Sequence, residues 1–372
     1  MRVLRTDSGP RPDKGWLEGQ CGENDQVSPV LSGLGEKGAY FNMWSLAKRV
    51  MRRLLGHRYF SVRAYRHLLI SRLRRREPLF VHSMGKVGSS TIVRSLEASG
   101  LEEHMPIHWT TFLSPEGVRF LEDLQREGYG GRNKVPIDKQ SAMVARRVLS
   151  RELGRGHLIG GKCKVVTLVR DPVATNVAGF FQNHAWWPPE LRAKCTAGLP
   201  GYVDDLAQLF FEKYPHDVPL TWFDTELKGV FGVDVFRSEF PRSKGYKVYR
   251  GGPVEVLVCK LEKLDDCAEE AFREFLGIEG FTVQKANVAS GKWYASIYQE
   301  FKDGLVLPAA YADRMFNSRV TRHFYDDEEI ESFRVKWRTT DLGSSCEGET
   351  ARRCQLSAVE PGRQEATVAS ND

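Results

Sequence analysis

Two runs of apolar, largely β-branched residues, at 165–169 and 254–259, constrain the fold of this chain more than any other feature. A strand with one face in water alternates apolar and polar residues. A strand that reads Val-Val-Thr-Leu-Val has both faces covered. Helices supply that cover, so the pattern predicts an α/β layer fold with a mainly parallel central sheet. A third short strand is predicted at 79–83, after Pro78, and it meets a Gly/Ser turn. The helix that follows, through Ile92 and Leu96 on one face, stops at Gly100. Ser114-Pro115 is a helix start, with Ser as cap and Pro at the first helical position. Asp265-Asp266 is expected to cap a helix that runs to Phe275 and ends before Gly277.

The strand at 79–83 turns into its helix through Gly85-Lys86-Val87-Gly88-Ser89-Ser90-Thr91. Glycines let the backbone approach an anion, and a helix N-terminus offers unpaired N–H groups and a favourable dipole. Lys86 and the hydroxyls of Ser89, Ser90 and Thr91 add donors to the same spot. A nucleoside-triphosphatase loop needs GxxxxGK followed by Ser or Thr, with that hydroxyl on magnesium. Val87 follows Lys86 here, and Phe80 lies five residues before Gly85, so that motif is absent. After the 165–169 strand comes Arg170-Asp171-Pro172. An arginine at a strand's C-terminal end faces the crevice where open α/β sheets bind ligands, and it suits bidentate binding of phosphate. The two strands are expected to be near neighbours, with Gly88 and Arg170 at one edge of the sheet.

Charge is unevenly spread. Residues 1–77 hold 16 Lys and Arg against 7 Asp and Glu, while the rest hold 38 against 41. From Lys48 to Arg76 there are 11 basic residues and no acidic one. The expected organisation is a flexible segment at 1–40, a basic amphipathic helical arm at 41–77, one domain at 78–340 and a disordered tail at 341–372. An anionic membrane surface is the partner such an arm suits. Without zinc-finger spacing or an aromatic RNA-binding signature, nucleic acid is not expected. The 7 cysteines form no CxxC pair and predict buried free thiols and no metal site. No run reaches the ~18 apolar residues of a spanning helix, and the start lacks an apolar signal core. The expected location is therefore cytoplasmic, with the arm at a membrane surface.

The motifs also resemble a family. Lys86-Val87-Gly88-Ser89-Ser90 is similar to the 5′-phosphosulfate loop of sulfotransferases that use 3′-phosphoadenosine 5′-phosphosulfate (PAPS), and Arg170-Asp171-Pro172 to the start of their 3′-phosphate motif. Cys259-Lys260-Leu261-Glu262-Lys263-Leu264 resembles the strand exit before a late helix in those enzymes. Trp222-Phe223-Asp224-Thr225-Glu226, 231–236, Ala286-Asn287, 292–296 and 323–330 resemble the capsular polysaccharide synthesis proteins, a sulfotransferase-like family. The likeness spans roughly 78–338. It implies a three-layer α/β/α, P-loop-like sulfotransferase-type fold and a metal-free transfer of sulfuryl from PAPS to a carbohydrate hydroxyl.

By that resemblance Lys86 neutralises charge on the leaving phosphate, and the backbone of Val87 through Ser90 holds the 5′-phosphate. Lys292 reaches a phosphate and Trp293 stacks over the nucleotide. His108, read as following a second strand, is the expected base, with His82 and His184 in reserve. One position departs from the family. The serine expected eight residues after the motif arginine is Ala178, so Asn176 or Thr175 is the expected donor to the 3′-phosphate. Two alternatives stand beside this reading: a polysaccharide-assembly protein with another phosphorylated donor, and a non-catalytic scaffold at a membrane surface.

Overall fold

In the computed structural model the described residues are 77–339, without 102–103, 106, 132–134, 155–162 and 287–290. The segment at 1–40, nearly all of the arm and the tail lie outside them.

Five strands form one sheet in the order β2-β1-β3-β5-β4: β1 Leu79–His82, β2 Ile107–Thr110, β3 Cys163–Val169, β4 Tyr246–Gly251 and β5 Val254–Lys260. β2, β1, β3 and β5 run parallel, and β4 returns antiparallel along β5. Val165, Val166, Leu168, Val256, Leu257, Val258 and Cys259 are all buried, as unbroken apolar runs require. The sheet is therefore α/β and mainly parallel, as expected.

Side chains alternate across β1, which places helices on both faces. Phe80 and His82 meet Phe231 and Trp222 on one side. Those aromatics belong to a helical stretch that begins as α7, Val218–Trp222, and widens into a π-helix at Phe223–Lys228 before a last turn, Gly229–Phe231. On the other side Lys164 of β3 donates to the carbonyl of Phe275, in α8, Leu264–Leu276. The sequence between β1 and β2 forms α1, Ser89–Ala98, and between β2 and β3 lie α2, Pro115–Gly128, and α3, Ile137–Gly154.

After β3 come α4, Pro172–Gln182, α5, Pro189–Thr196, and α6, Tyr202–Lys213. The C-terminal part adds α9, Ala295–Gly304, α10, Ala309–Phe316, α11, Arg319–Phe324, and α12, Asp327–Lys336. Phe180 and Phe181 of α4 pack against Phe301 of α9, and Phe180 also against Phe210 of α6. The predicted cap holds at Ser114, whose side chain accepts from Gly117 N–H, and Asp171 caps α4 by accepting from Val173 and Ala174 N–H. Asp265 and Asp266 instead occupy the first turn of α8, which Gly277 ends at φ 70°. Cys163, Cys195, Cys259 and Cys267 are free and buried.

Candidate anion-binding site

The chain leaves β1 along one side of the sheet to reach β2, then crosses back past β1 to become β3. Connections that depart in opposite directions open a crevice at the carboxyl ends of β1 and β3, the place where α/β sheets bind ligands. Both predicted motifs meet there. Gly85, Lys86 and Gly88 take positive φ values of 88°, 59° and 88°. Such backbone turns successive N–H groups into a shared concavity suited to an anion, and α1 begins at its rim. For Lys86, which has a Cβ, the left-handed conformation costs about 1–2 kcal/mol. Gly88 is fixed twice, by its φ and because an added Cβ would stand 2.6 Å from Leu261 Cδ1. Val87 and Ser89 are buried beneath the turn, while Ser90 is half-buried.

Arg170 Nη1 donates to the carbonyl of Lys86 across 2.8 Å, so the two motifs are tied. Burial, and then the charges of Lys292, Arg170 and Lys139, push the Lys86 ammonium down to about 8. Lys292, more than a hundred residues further along the chain, thus lies close enough to act on Lys86. Among the described residues, no carboxylate forms a salt bridge with Lys86, Arg170 or Lys292. Like charges crowded and partly stripped of water are a cost that the fold itself does not require. Thr91 serves the cluster indirectly. Its hydroxyl accepts from Ala286 N–H at 3.3 Å, and Ser95 Oγ accepts from Gln284 N–H at 2.8 Å. These two bonds clip the 284–286 segment, which leads to Lys292, onto α1. Accepting from Ala286 leaves the Thr91 hydroxyl proton for another acceptor.

Two expectations change. Asn176 is buried, and its amide donates to the His216 carbonyl at 3.1 Å and the Tyr311 hydroxyl at 3.2 Å. Thr175 donates to the Asp171 carbonyl. Both side chains are thus committed inside α4 and its packing, and neither replaces the hydroxyl missing at Ala178. His108 lies within β2, opposite Phe80, and its ring stacks on Phe80 at 5.1 Å. It does not follow the strand, as the position of a base at the strand end would require. His184 is buried beside Trp293 and Tyr294, and burial pushes its imidazole down to about 4. Trp293, next in sequence to Lys292, remains 45% exposed.

The floor of the site contains His82, read from the sequence as a reserve base, and Glu226, to which the sequence assigned no role. His82, the last residue of β1, is fully buried, with Nδ1 2.8 Å from Thr110 Oγ1 and Nε2 3.3 Å from Glu226 Oε2. Glu226 stands in the π-helical turn and accepts from the N–H groups of Leu113 and Ser114 and the Ser114 hydroxyl, at 2.7, 3.0 and 2.7 Å. Burial pushes this carboxyl up, but His82, Leu113 and Ser114 outweigh it and leave it below the usual carboxylate range. A single carboxylate therefore ties the end of β1, the start of α2 and the helix after α7. At the β5 exit, Glu262 accepts from Asp171 N–H at 2.8 Å and from the Tyr325 hydroxyl at 2.9 Å. Buried Lys260 pairs with Glu329. These are structural ties, and they hold Asp171 and hence Arg170.

The fold and this crevice define an α/β protein whose sheet edge gathers a glycine-bent loop and cations that, among the described residues, have no carboxylate salt bridge. Residues 203–326, about a third of the chain, match the model of the NKWYS family, described as "Putative capsular polysaccharide synthesis protein". The match includes Glu226, Glu262 and Lys292, while the Gly85–Thr91 loop and Arg170 precede it. No curated protein and no solved structure matches the chain. No helix among the described residues is long and apolar enough to cross a membrane.

Proposed function

We propose that the protein is a sulfotransferase-like enzyme of polysaccharide synthesis that moves a sulfuryl group from PAPS to a carbohydrate hydroxyl. The observation that carries this reading is the convergence of Lys86, Arg170 and Lys292 on a glycine-bent strand–loop–helix at the sheet's switch point. Such an arrangement suits a ligand with more than one anionic group. In sulfuryl transfer the acceptor oxygen bonds to sulfur as the bond from sulfur to the phosphate oxygen breaks, and the acceptor's proton passes to solvent water or a base. Charge builds on the departing phosphate, so a fixed ammonium there lowers the barrier. Lys86 is the residue for that task, and the first-turn N–H groups of α1 hold the same phosphate.

The family match supports the polysaccharide context, and the motif resemblance supports the donor. The second reading, another phosphorylated donor, draws on Ala178 and on the engagement of Asn176 and Thr175 elsewhere. Release of 3′-phosphoadenosine 5′-phosphate from PAPS in the presence of capsular and glycosaminoglycan polysaccharides tests the proposal. Lys86→Ala should lower turnover at least a hundredfold while keeping the wild-type thermal midpoint within a few degrees. Equal turnover in a folded Lys86→Ala protein would remove Lys86 from the reaction. Absence of release with any acceptor, together with binding of a different phosphorylated sugar donor, would favour the second reading.

A further inference from the structure

The β4 side of the sheet carries a cavity of about 620 Å³, lined by residues 239–244, 246–248, Glu274 and Asp326. Its size is that of a ligand pocket, but charged side chains dominate the lining. Every lining residue falls within 203–326, the stretch matched by the family model, whereas the Gly85–Thr91 loop does not. Tyr246 of β4 pairs with Cys259 of β5, and Cys259 with Leu168 of β3, two residues before Arg170. The cavity therefore lies at the same end of the sheet as the crevice, two strand spacings or roughly 10 Å from β3.

Two half-buried cations line it, Arg242 and Lys247. Arg242 Nε donates to the His323 carbonyl at 3.4 Å and Nη2 to the Arg322 carbonyl, both near the end of α11. Lys247 Nζ donates to Ser238 Oγ at 3.0 Å and to the Glu239 carbonyl. These bonds fix both side chains without neutralising either, and neither forms a salt bridge among the described residues. Arg242 keeps Nη1 for another acceptor. The nearby carboxylates are placed otherwise. Glu274 accepts from the Tyr246 hydroxyl at 2.8 Å and pairs with Lys244 at 3.3 Å, and Asp326 accepts from Glu329 N–H at 2.9 Å as the cap of α12. Glu239 is exposed, and it is its carbonyl that engages Lys247. Burial, and then the charges of Arg242, Lys247 and Arg319, hold the neighbouring His323 imidazole below its ordinary value despite Asp234.

We propose that this cavity binds an acidic sugar unit of the acceptor, bearing carboxylate or sulfate, with Arg242 and Lys247 on the acid group and the reacting hydroxyl elsewhere on the chain. A guanidinium matches either acid group through paired hydrogen bonds. The proposal rests on the reading of the acceptor as a carbohydrate.

The test titrates the full chain calorimetrically with three probes at matched ionic strength, because screening alters any such contact. They are a hyaluronan hexasaccharide, its carboxyl-reduced neutral form, and a keratan sulfate hexasaccharide, which carries sulfate and no carboxylate. At least one acidic probe should bind about tenfold tighter than the neutral one, and which does so identifies the acid group. Arg242→Gln and Lys247→Gln should each remove most of that preference and leave the affinity for 3′-phosphoadenosine 5′-phosphate within about twofold. Lys247 holds only Ser238 and Glu239, so its variant keeps the test open if Arg242→Gln fails to fold. Arg237→Gln, exposed and outside the cavity, should keep the preference. Equal affinity for all three probes overturns the inference. So does a preference that survives both cavity variants, which would trace it to the basic residues at 48–76, or one that falls equally in Arg237→Gln. Joint loss of saccharide and nucleotide affinity marks a structural role and also overturns it. If the cavity variants lose the preference while PAPS is never turned over, the inference stands and the sulfuryl reading falls. Turnover without any acidic preference does the reverse.

Discussion

Lys86 combines a left-handed backbone with an ammonium lowered from an ordinary 10.5 to about 8, and each property has a measurable consequence. The charged form is the one that attracts a phosphate. Affinity for 3′-phosphoadenosine 5′-phosphate should therefore fall as pH rises through about 8, the value for the free protein. Lys86→Arg stays charged there and should lose that limb. Stability moves the other way. Between about 8 and 10.5 the unfolded chain holds a proton at this position that the folded one has released, so the ligand-free fold gains stability with rising pH. Urea titrations of wild type and Lys86→Arg across that range check the sign. Glu226 is the opposite case, a buried anion that is fully satisfied. Glu226→Gln should cost about 1.5–3 kcal/mol in denaturant unfolding, since hydrogen bonds to a charged group are lost. With its pKa held below the ordinary value, the carboxylate's contribution is complete at neutral pH and disappears as pH falls through the folded value.

At the scale of elements, the loop and the 284–286 segment act as one unit through α1. Gly88→Ala meets both a φ of 88° and Leu261 Cδ1 at 2.6 Å. It should destabilise by about 1–3 kcal/mol, and Leu261→Ala should relieve only part of that, because the backbone penalty remains. Thr91→Val removes the acceptor for Ala286 N–H, and it should weaken nucleotide binding severalfold through Lys292 with a stability loss of about 1 kcal/mol. A double-mutant cycle between Thr91→Val and Lys292→Ala measures that coupling. The elements legible in the sequence were those with a local cause. The strands at 79–82, 163–169 and 254–260 announce themselves by apolar runs, and α2 and α4 by their caps. β4 was not read, although Tyr-Lys-Val-Tyr alternates and Gly252-Pro253 forms the turn to β5. The π-helical turn at Phe223–Lys228 has no sequence signature, because its cause is tertiary: Glu226 must reach Leu113, Ser114 and His82.

Across the whole molecule, the order β2-β1-β3-β5-β4 turns two motifs 84 positions apart into neighbours. That juxtaposition could be anticipated from two strand ends with anion-binding chemistry. The approach of Lys292 from the last third of the chain could not be derived from spacing, since the segment leading to it is held on α1 by Thr91 and Ser95. For the same reason Asn176 looked available from its place one turn after Pro172, yet packing turns its amide toward His216 and Tyr311. The central claim is that this crevice holds a phosphosulfate donor, and the structure of the protein with 3′-phosphoadenosine 5′-phosphate tests it most directly. The account predicts the 5′-phosphate on the backbone of residues 86–90 with Lys86 upon it, and the second phosphate within hydrogen-bond distance of Arg170. A nucleotide bound away from the β1–β3 strand ends, with Lys86 and Arg170 untouched, would contradict it.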